Sequence, residues 1–84
     1  MKPIRLSAHA KETSAFRGTT EAEVAATIRS SPWADARDGR LECRKDFPFG
    51  RDWNGTMYQM KQVRPIFVEE EGEIVVVTVY VYYF

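Results

Sequence analysis

Residues 73–84 read EIVVVTVYVYYF, β-branched or aromatic nearly throughout and free of Gly and Pro. Strand is the only sensible reading of such a run, because both residue classes lose side-chain freedom in a helix and fit a pleated surface. Alternation puts Val75, Val77, Val79, Val81 and Tyr83 on one face, and Ile74, Val76, Thr78, Tyr80, Tyr82 and Phe84 on the other. The valine face is predicted to serve the core. The opposite face begins apolar and ends in tyrosines, so the strand is expected to be interior, covered on both faces or partly by a partner. At about 3.3 Å per residue it runs roughly 35 Å, the width of a globule of this size.

The rest of the chain supplies the cover. Lys2 to Leu6 reads as a short extended lead, with Pro3 blocking an early helix. Ser7 is placed to cap a helix over residues 8–17, and Gly18 suits the position just past its end. Thr20 with Glu23 makes a capping box for a second helix, which Pro32 ends soon after Arg29. Val24, Ala25 and Ile28 form its buried stripe. Both helices are short and must lean on a sheet to be stable. Asp38-Gly39 and Asn54-Gly55 are hairpin turn signals. Leu41, Cys43, Phe47 and Phe49, then residues 56–63, then Ile66 to Val68, supply strands before the last one. The acidic run Glu69 to Glu73 makes the final turn. It reads as a solvated loop, since successive glutamates point apart and cannot converge on a metal. The expected fold is α+β: two N-terminal helices packed on a four-stranded antiparallel sheet.

Size and charge narrow the function classes. The 84 residues suffice for one domain with one modest core. Twelve Lys and Arg balance twelve Asp and Glu, which counts against nonspecific nucleic-acid binding but not against a local basic patch. The single Cys43 can form no internal disulfide, which fits a reducing compartment. No apolar segment follows the charged start, and no window approaches a membrane span. A cytoplasmic protein without membrane contact is expected. No metal spacing, phosphate loop or dinucleotide fingerprint is present, so no metal and no cofactor is expected.

His9, the single histidine, lies inside the first predicted helix on a stripe shared with Phe16, which reads as the helix's large apolar anchor. Two roles fit it: a partly buried histidine at the helix–sheet seam, or a general acid or base. Arg17 follows roughly 12 Å along the axis, near enough to share an anion site but not required to. Arg37, Arg40, Arg44, Lys45, Arg51, Lys61 and Arg64 gather mostly on the early strands. They make a solvated charged face or, with Tyr58, Tyr80 and Tyr82 as stacking platforms, a surface for RNA. Trp33 reads as a lid beside Pro32, and Trp53 as a loop tip or a contact.

Ser7-Ala8-His9-Ala10, Arg17-Gly18-Thr19, residues 21–28 and Ile74 to Tyr80 together resemble a widespread bacterial domain of unknown function. In that family an HA…RG helix precedes a sheet ending in a VVT-Y strand. The layout is similar to that of the RelE and BrnT toxins. The resemblance implies a toxin of a toxin–antitoxin pair, RNA as substrate, an antitoxin protein as partner, and metal-independent RNA cleavage. It makes His9 the acid–base group, Arg17 the phosphate clamp, and Thr78 and Tyr80 hydrogen-bond donors in the same cleft. Lys61, Arg64 and Tyr58 would then hold nucleic acid. Thr13 stands where members commonly carry an arginine. The alternative is a noncatalytic interaction module of the same fold, self-associating through the aromatic end Tyr80, Tyr82 and Phe84.

Overall fold

The strand expected at residues 73–84 forms, as β6 (Ile74–Tyr83), and it packs against a still longer one, β5 (Thr56–Glu69). A computed structural model describes residues 2–84. The remaining elements are β1 (Ile4–Leu6), α1 (Ala8–Arg17), α2 (Glu21–Ser30), β2 (Ala34–Asp35), β3 (Leu41–Glu42) and β4 (Lys45–Trp53). A short 3-10 turn, Arg37–Gly39, joins β2 to β3.

Where the sequence predicts four antiparallel strands behind two N-terminal helices, the described residues form a six-stranded mixed sheet whose first strand precedes the helices. The order is β1-β6-β5-β3-β2, with β4 also paired to β5. The segment read as an extended lead is β1, and it runs parallel to β6, Ile4 beside Ile74. Its partner lies at the other end of the chain, so nothing local announces it. The spine is β5 rather than β6. One edge of β5 carries β6, while the other carries β4 up to Val63 and β3 from Ile66. Pro65 falls in the interval between β4 and β3, where its missing amide hydrogen costs no ladder bond.

Both helices form within their predicted bounds because their ends are well capped. The Ser7 side chain accepts from the Ala10 amide, and Gly18 closes α1 at φ 84°. The Thr20 side chain accepts from the Glu23 amide to open α2. Asn54 and Gly55, at φ 51° and 86°, make the tight β4–β5 hairpin.

The helices cover one face of the sheet. The core joins Leu6, Ala10, Val24, Ile28, Cys43, Val63, Phe67, Ile74, Val76 and Val79. Two expectations change here. The simple valine face breaks at a β-bulge: Ile66 pairs with Thr78 but Phe67 pairs with Val76, leaving Val77 as an extra residue. Ile74 and Val76 therefore face the helices before the bulge, and Val79 after it, while Val75 and Val77 do not join the core. The second change concerns Phe16, which is 84% exposed. Ala10 and Ser14 turn inward instead, and their small size lets α1 lie close on β6. Trp33 acts as the expected lid, edge-on to Phe67 at 5.0 Å and bonded through its indole N–H to the Ile28 carbonyl.

Candidate nucleic-acid interface

The face of the sheet turned away from the helices is the most chemically charged feature of the fold. Antiparallel register sets Arg64 beside Tyr80, Gln62 beside Tyr82 and Ile66 beside Thr78. The Asp38-Gly39 turn, whose two residues take φ 60° and 72°, brings Arg37 and Arg40 to the same place. Together Arg37, Asp38, Arg40, Arg64, Ile66, Thr78 and Tyr80 line a cavity of about 210 Å³.

Arg17 joins from the helix layer. Its guanidinium donates to the Val79 carbonyl at 2.7 Å and lies 4.9 Å from the centre of the Tyr80 ring. The Arg64 guanidinium sits 5.5 Å from the same ring. Tyr80 is thus held by two cations at an exposed site, an arrangement worth about 0.5–1 kcal/mol per contact. Arg64 is fixed by Glu42 on β3 and donates to the Tyr82 hydroxyl at 3.2 Å. Its bond to Glu42 holds its pKa above the ordinary arginine value, so it stays a cation throughout any working pH. Among the described residues, Arg37, Arg40 and Arg64 stand here with Asp38 and Glu42, and Arg17 reaches in over Tyr80, so this face is locally basic in a chain of zero net charge.

Four residues singled out from the sequence meet at this place: Arg17, Arg64, Thr78 and Tyr80. Three lie elsewhere. His9 stands exposed on α1 and lines none of the cavities described. It does share a stripe with Phe16, but that stripe faces solvent. Lys61 is 4% exposed beneath the helices, 2.8 Å from the Glu23 carboxylate and donating to the Gly18 carbonyl at 2.9 Å. Burial pushes the Glu23 carboxyl up, but bonds from Lys61, Thr19 and the Thr20 amide outweigh it and hold it below its ordinary value. Tyr58 packs 5.7 Å from Tyr83, in a cluster where Trp53 stacks on Tyr83 at 4.8 Å and Phe49 tilts against it at 5.0 Å. Trp53 is therefore a contact rather than a free loop tip.

Arg37, Arg40 and Tyr82 complete the cationic face; the sequence groups them with Arg64 and Tyr80 as a charged surface, and of that group Arg44, Lys45, Arg51 and Lys61 do not line this cavity. The Asp38-Gly39 turn carries Arg37 and Arg40 on its flanks. Among the described residues no cluster of His, Cys, Asp and Glu could hold a metal ion, and no helix is long and apolar enough to cross a membrane. Cys43 is buried, its thiol against the Thr27 carbonyl, and burial with the Glu42 charge pushes its pKa up to about 11. Compared with known proteins, the chain matches no family model, no curated sequence and no solved structure.

Proposed function

We propose that this chain is a toxin-like protein that binds single-stranded RNA across the outer face of its sheet. The observation that carries the reading is Tyr80, exposed beneath the guanidinium groups of Arg17 and Arg64 and beside a cavity lined by Arg37, Arg40 and Thr78. Stacking of a base on an exposed tyrosine and contact of its phosphates with nearby arginines are the two components of single-strand binding. The cavity has room for a phosphate group, with the Thr78 and Tyr80 hydroxyls as further donors. An antitoxin, on this reading, is a protein that covers the same basic face.

Fluorescence anisotropy with a short labelled RNA tests this. Tyr80→Ala is expected to weaken binding by about 5- to 150-fold, the range for loss of one stacked base. Arg64→Gln is expected to weaken it and to lower the slope of log affinity on log salt by about one. No binding to any single strand at low salt would sink the proposal.

Metal-independent cleavage is the second reading, favoured by the meeting of Arg17, Thr78 and Tyr80. Cleavage needs a base for the ribose 2′-hydroxyl and an acid for the leaving oxygen, and His9 is not at this face. RNA left intact by soluble protein that binds it supports the noncatalytic form. Scission that His9→Ala abolishes supports the enzyme.

A further inference from the structure

Among the described residues, the edge of β6 away from β5 pairs with β1 at residues 74–76, holds the Ser7 hydroxyl at Val77 and the Arg17 guanidinium at Val79, and has no strand partner beyond them. Which backbone groups that edge presents follows from the ladder. Met60 and Phe84 exchange both amide–carbonyl bonds, at 2.9 and 3.1 Å, so they form a closely bonded pair. Bonded and non-bonded pairs alternate along an antiparallel ladder. Tyr82 and Tyr80 therefore bond to β5, whereas Tyr83, Val81 and Val79 turn their N–H and C=O groups to the open edge. The bond from Arg17 to the Val79 carbonyl agrees with this phase. On their helix-facing side Val81 and Tyr83 border a cavity of about 230 Å³, lined also by Phe16, Arg17, Trp53 and Asn54.

We infer that two copies of this chain pair through this edge, β6 against β6 and antiparallel, with the two-fold axis at Tyr82. In that register Val81 lies opposite Tyr83 of the second copy, and each such pair exchanges two main-chain bonds. Two pairs give four bonds. Arg17 keeps the Val79 carbonyl and so stops the ladder there, which removes competing registers that need that acceptor. On the outer face Tyr82 meets its own copy, and Tyr80 meets Phe84. Tyr82 and Tyr80 of β6, and Phe84 just after it, are exposed at 44%, 38% and 57%. Aromatic cross-strand pairs stabilise antiparallel strands by about 0.2–1 kcal/mol each. None of the paired residues is itself charged, and Arg17 and Arg64 lie against Tyr80 and Tyr82 of their own copy. The two Arg17 residues stand at Val79 of each copy, about 20 Å apart along the strands, beyond the screening length at physiological salt. The pairing is isologous and closes on itself, so it yields a dimer and not a fibre. It also joins the two outer faces into one surface.

Sedimentation equilibrium without RNA tests the dimer independently of the RNA reading. The wild type is expected to shift from monomer to dimer mass as concentration rises, and Tyr82→Lys, which sets two cations face to face at the axis, to stay monomeric. Far-UV circular dichroism checks that this exposed substitution leaves the fold intact. Register is read by oxidation. Tyr82→Cys is expected to cross-link between copies, because directly opposite non-bonded pairs hold Cα atoms about 4.5 Å apart, within disulfide reach. Tyr80→Cys, facing Phe84, is expected to cross-link far more slowly. A wild type monomeric at every concentration, or equal cross-linking by both variants, overturns the inference.

Discussion

Tyr83 donates its hydroxyl hydrogen to the Arg17 carbonyl at 2.7 Å, tying the end of β6 to the end of α1. This bond also fixes the base of the arm that carries the Arg17 guanidinium to Tyr80. Burial pushes the Tyr83 phenol above its ordinary pKa, with the Glu23 charge adding to the effect, so the group stays a donor at neutral pH.

Gly18 sits directly under this contact. A Cβ there would come within 2.7 Å of the Trp53 ring and would also strike the Tyr83 hydroxyl, at a backbone φ of +84°. Gly18→Ala is therefore expected to destabilise the fold by about 2–4 kcal/mol, combining left-handed strain with overpacking. Tyr83→Phe, which removes only the bond, is expected to cost about 1 kcal/mol. Urea unfolding of both variants measures the difference. Equal losses would mean that the ring stack on Gly18 matters less than the hydroxyl.

Ser14 gives the opposite sign. Its hydroxyl is buried against β6 and has no hydrogen-bond partner among the described residues. A lone buried hydroxyl is a desolvation cost without return, and serine is a weaker helix former than alanine. Ser14→Ala is expected to raise stability by about 1 kcal/mol, read as a higher urea midpoint with an unchanged slope. A lower midpoint would show that the oxygen has a water or protein partner.

Local chemistry announced the parts of this fold that are held locally. Ser7, Gly18 and the Thr20–Glu23 pair mark helix ends, and Asn54-Gly55 marks a hairpin, because each acts on its immediate neighbours. Contacts between distant residues were illegible. Ile4–Leu6 becomes a strand only because β6 lies beside it. Lys61 is buried because Glu23, on another element, neutralises it. The outward turn of His9 and Phe16 was decided by the close approach of Ala10 and Ser14 to the sheet, and a helix wheel cannot tell which of two mixed stripes will do this. The valine run hid its bulge for a related reason. Val75, Val76 and Val77 are identical in chemistry, so either phase of alternation satisfies them.

Glu23 makes stability depend on acid. Its folded pKa lies below the ordinary carboxylate value, so the stabilisation is present above the unfolded pKa and is lost as pH falls through the folded one. Protonation leaves the Lys61 ammonium, 4% exposed, with the Gly18 carbonyl and the Phe49 ring at 5.7 Å as its remaining contacts. The urea midpoint of the wild type is expected to fall more steeply than that of Glu23→Gln from about pH 5 to about pH 3. At neutral pH the variant is expected to be less stable by about 1 kcal/mol, a charged hydrogen bond discounted for partial exposure. Parallel acid profiles would remove Glu23 from the account.

The bulge at Val77 can be tested by deletion. Residues 74 and 76 face inward before it and residue 79 after it, with Val77 and Thr78 both outward between them. Removing Val77 shortens the outward pair to one residue and leaves every inward residue inward, now on a regular ladder. Removing Tyr80 instead sets Val79 and Val81 side by side and turns Val81 and Tyr83 to the wrong face. The first deletion is expected to keep a cooperative unfolding transition with a loss of about 1–3 kcal/mol, since the bulge also aims the Val77 carbonyl at the Ser7 hydroxyl, 3.2 Å away. The second is expected to abolish the transition, because Tyr83 then leaves Arg17 and Trp53 uncovered. Urea titrations followed by tryptophan fluorescence separate the two, since Trp53 stacks on Tyr83 in the native state. Comparable damage from both deletions would mean that strand length, and not the phase of the side chains, sets the tolerance of β6.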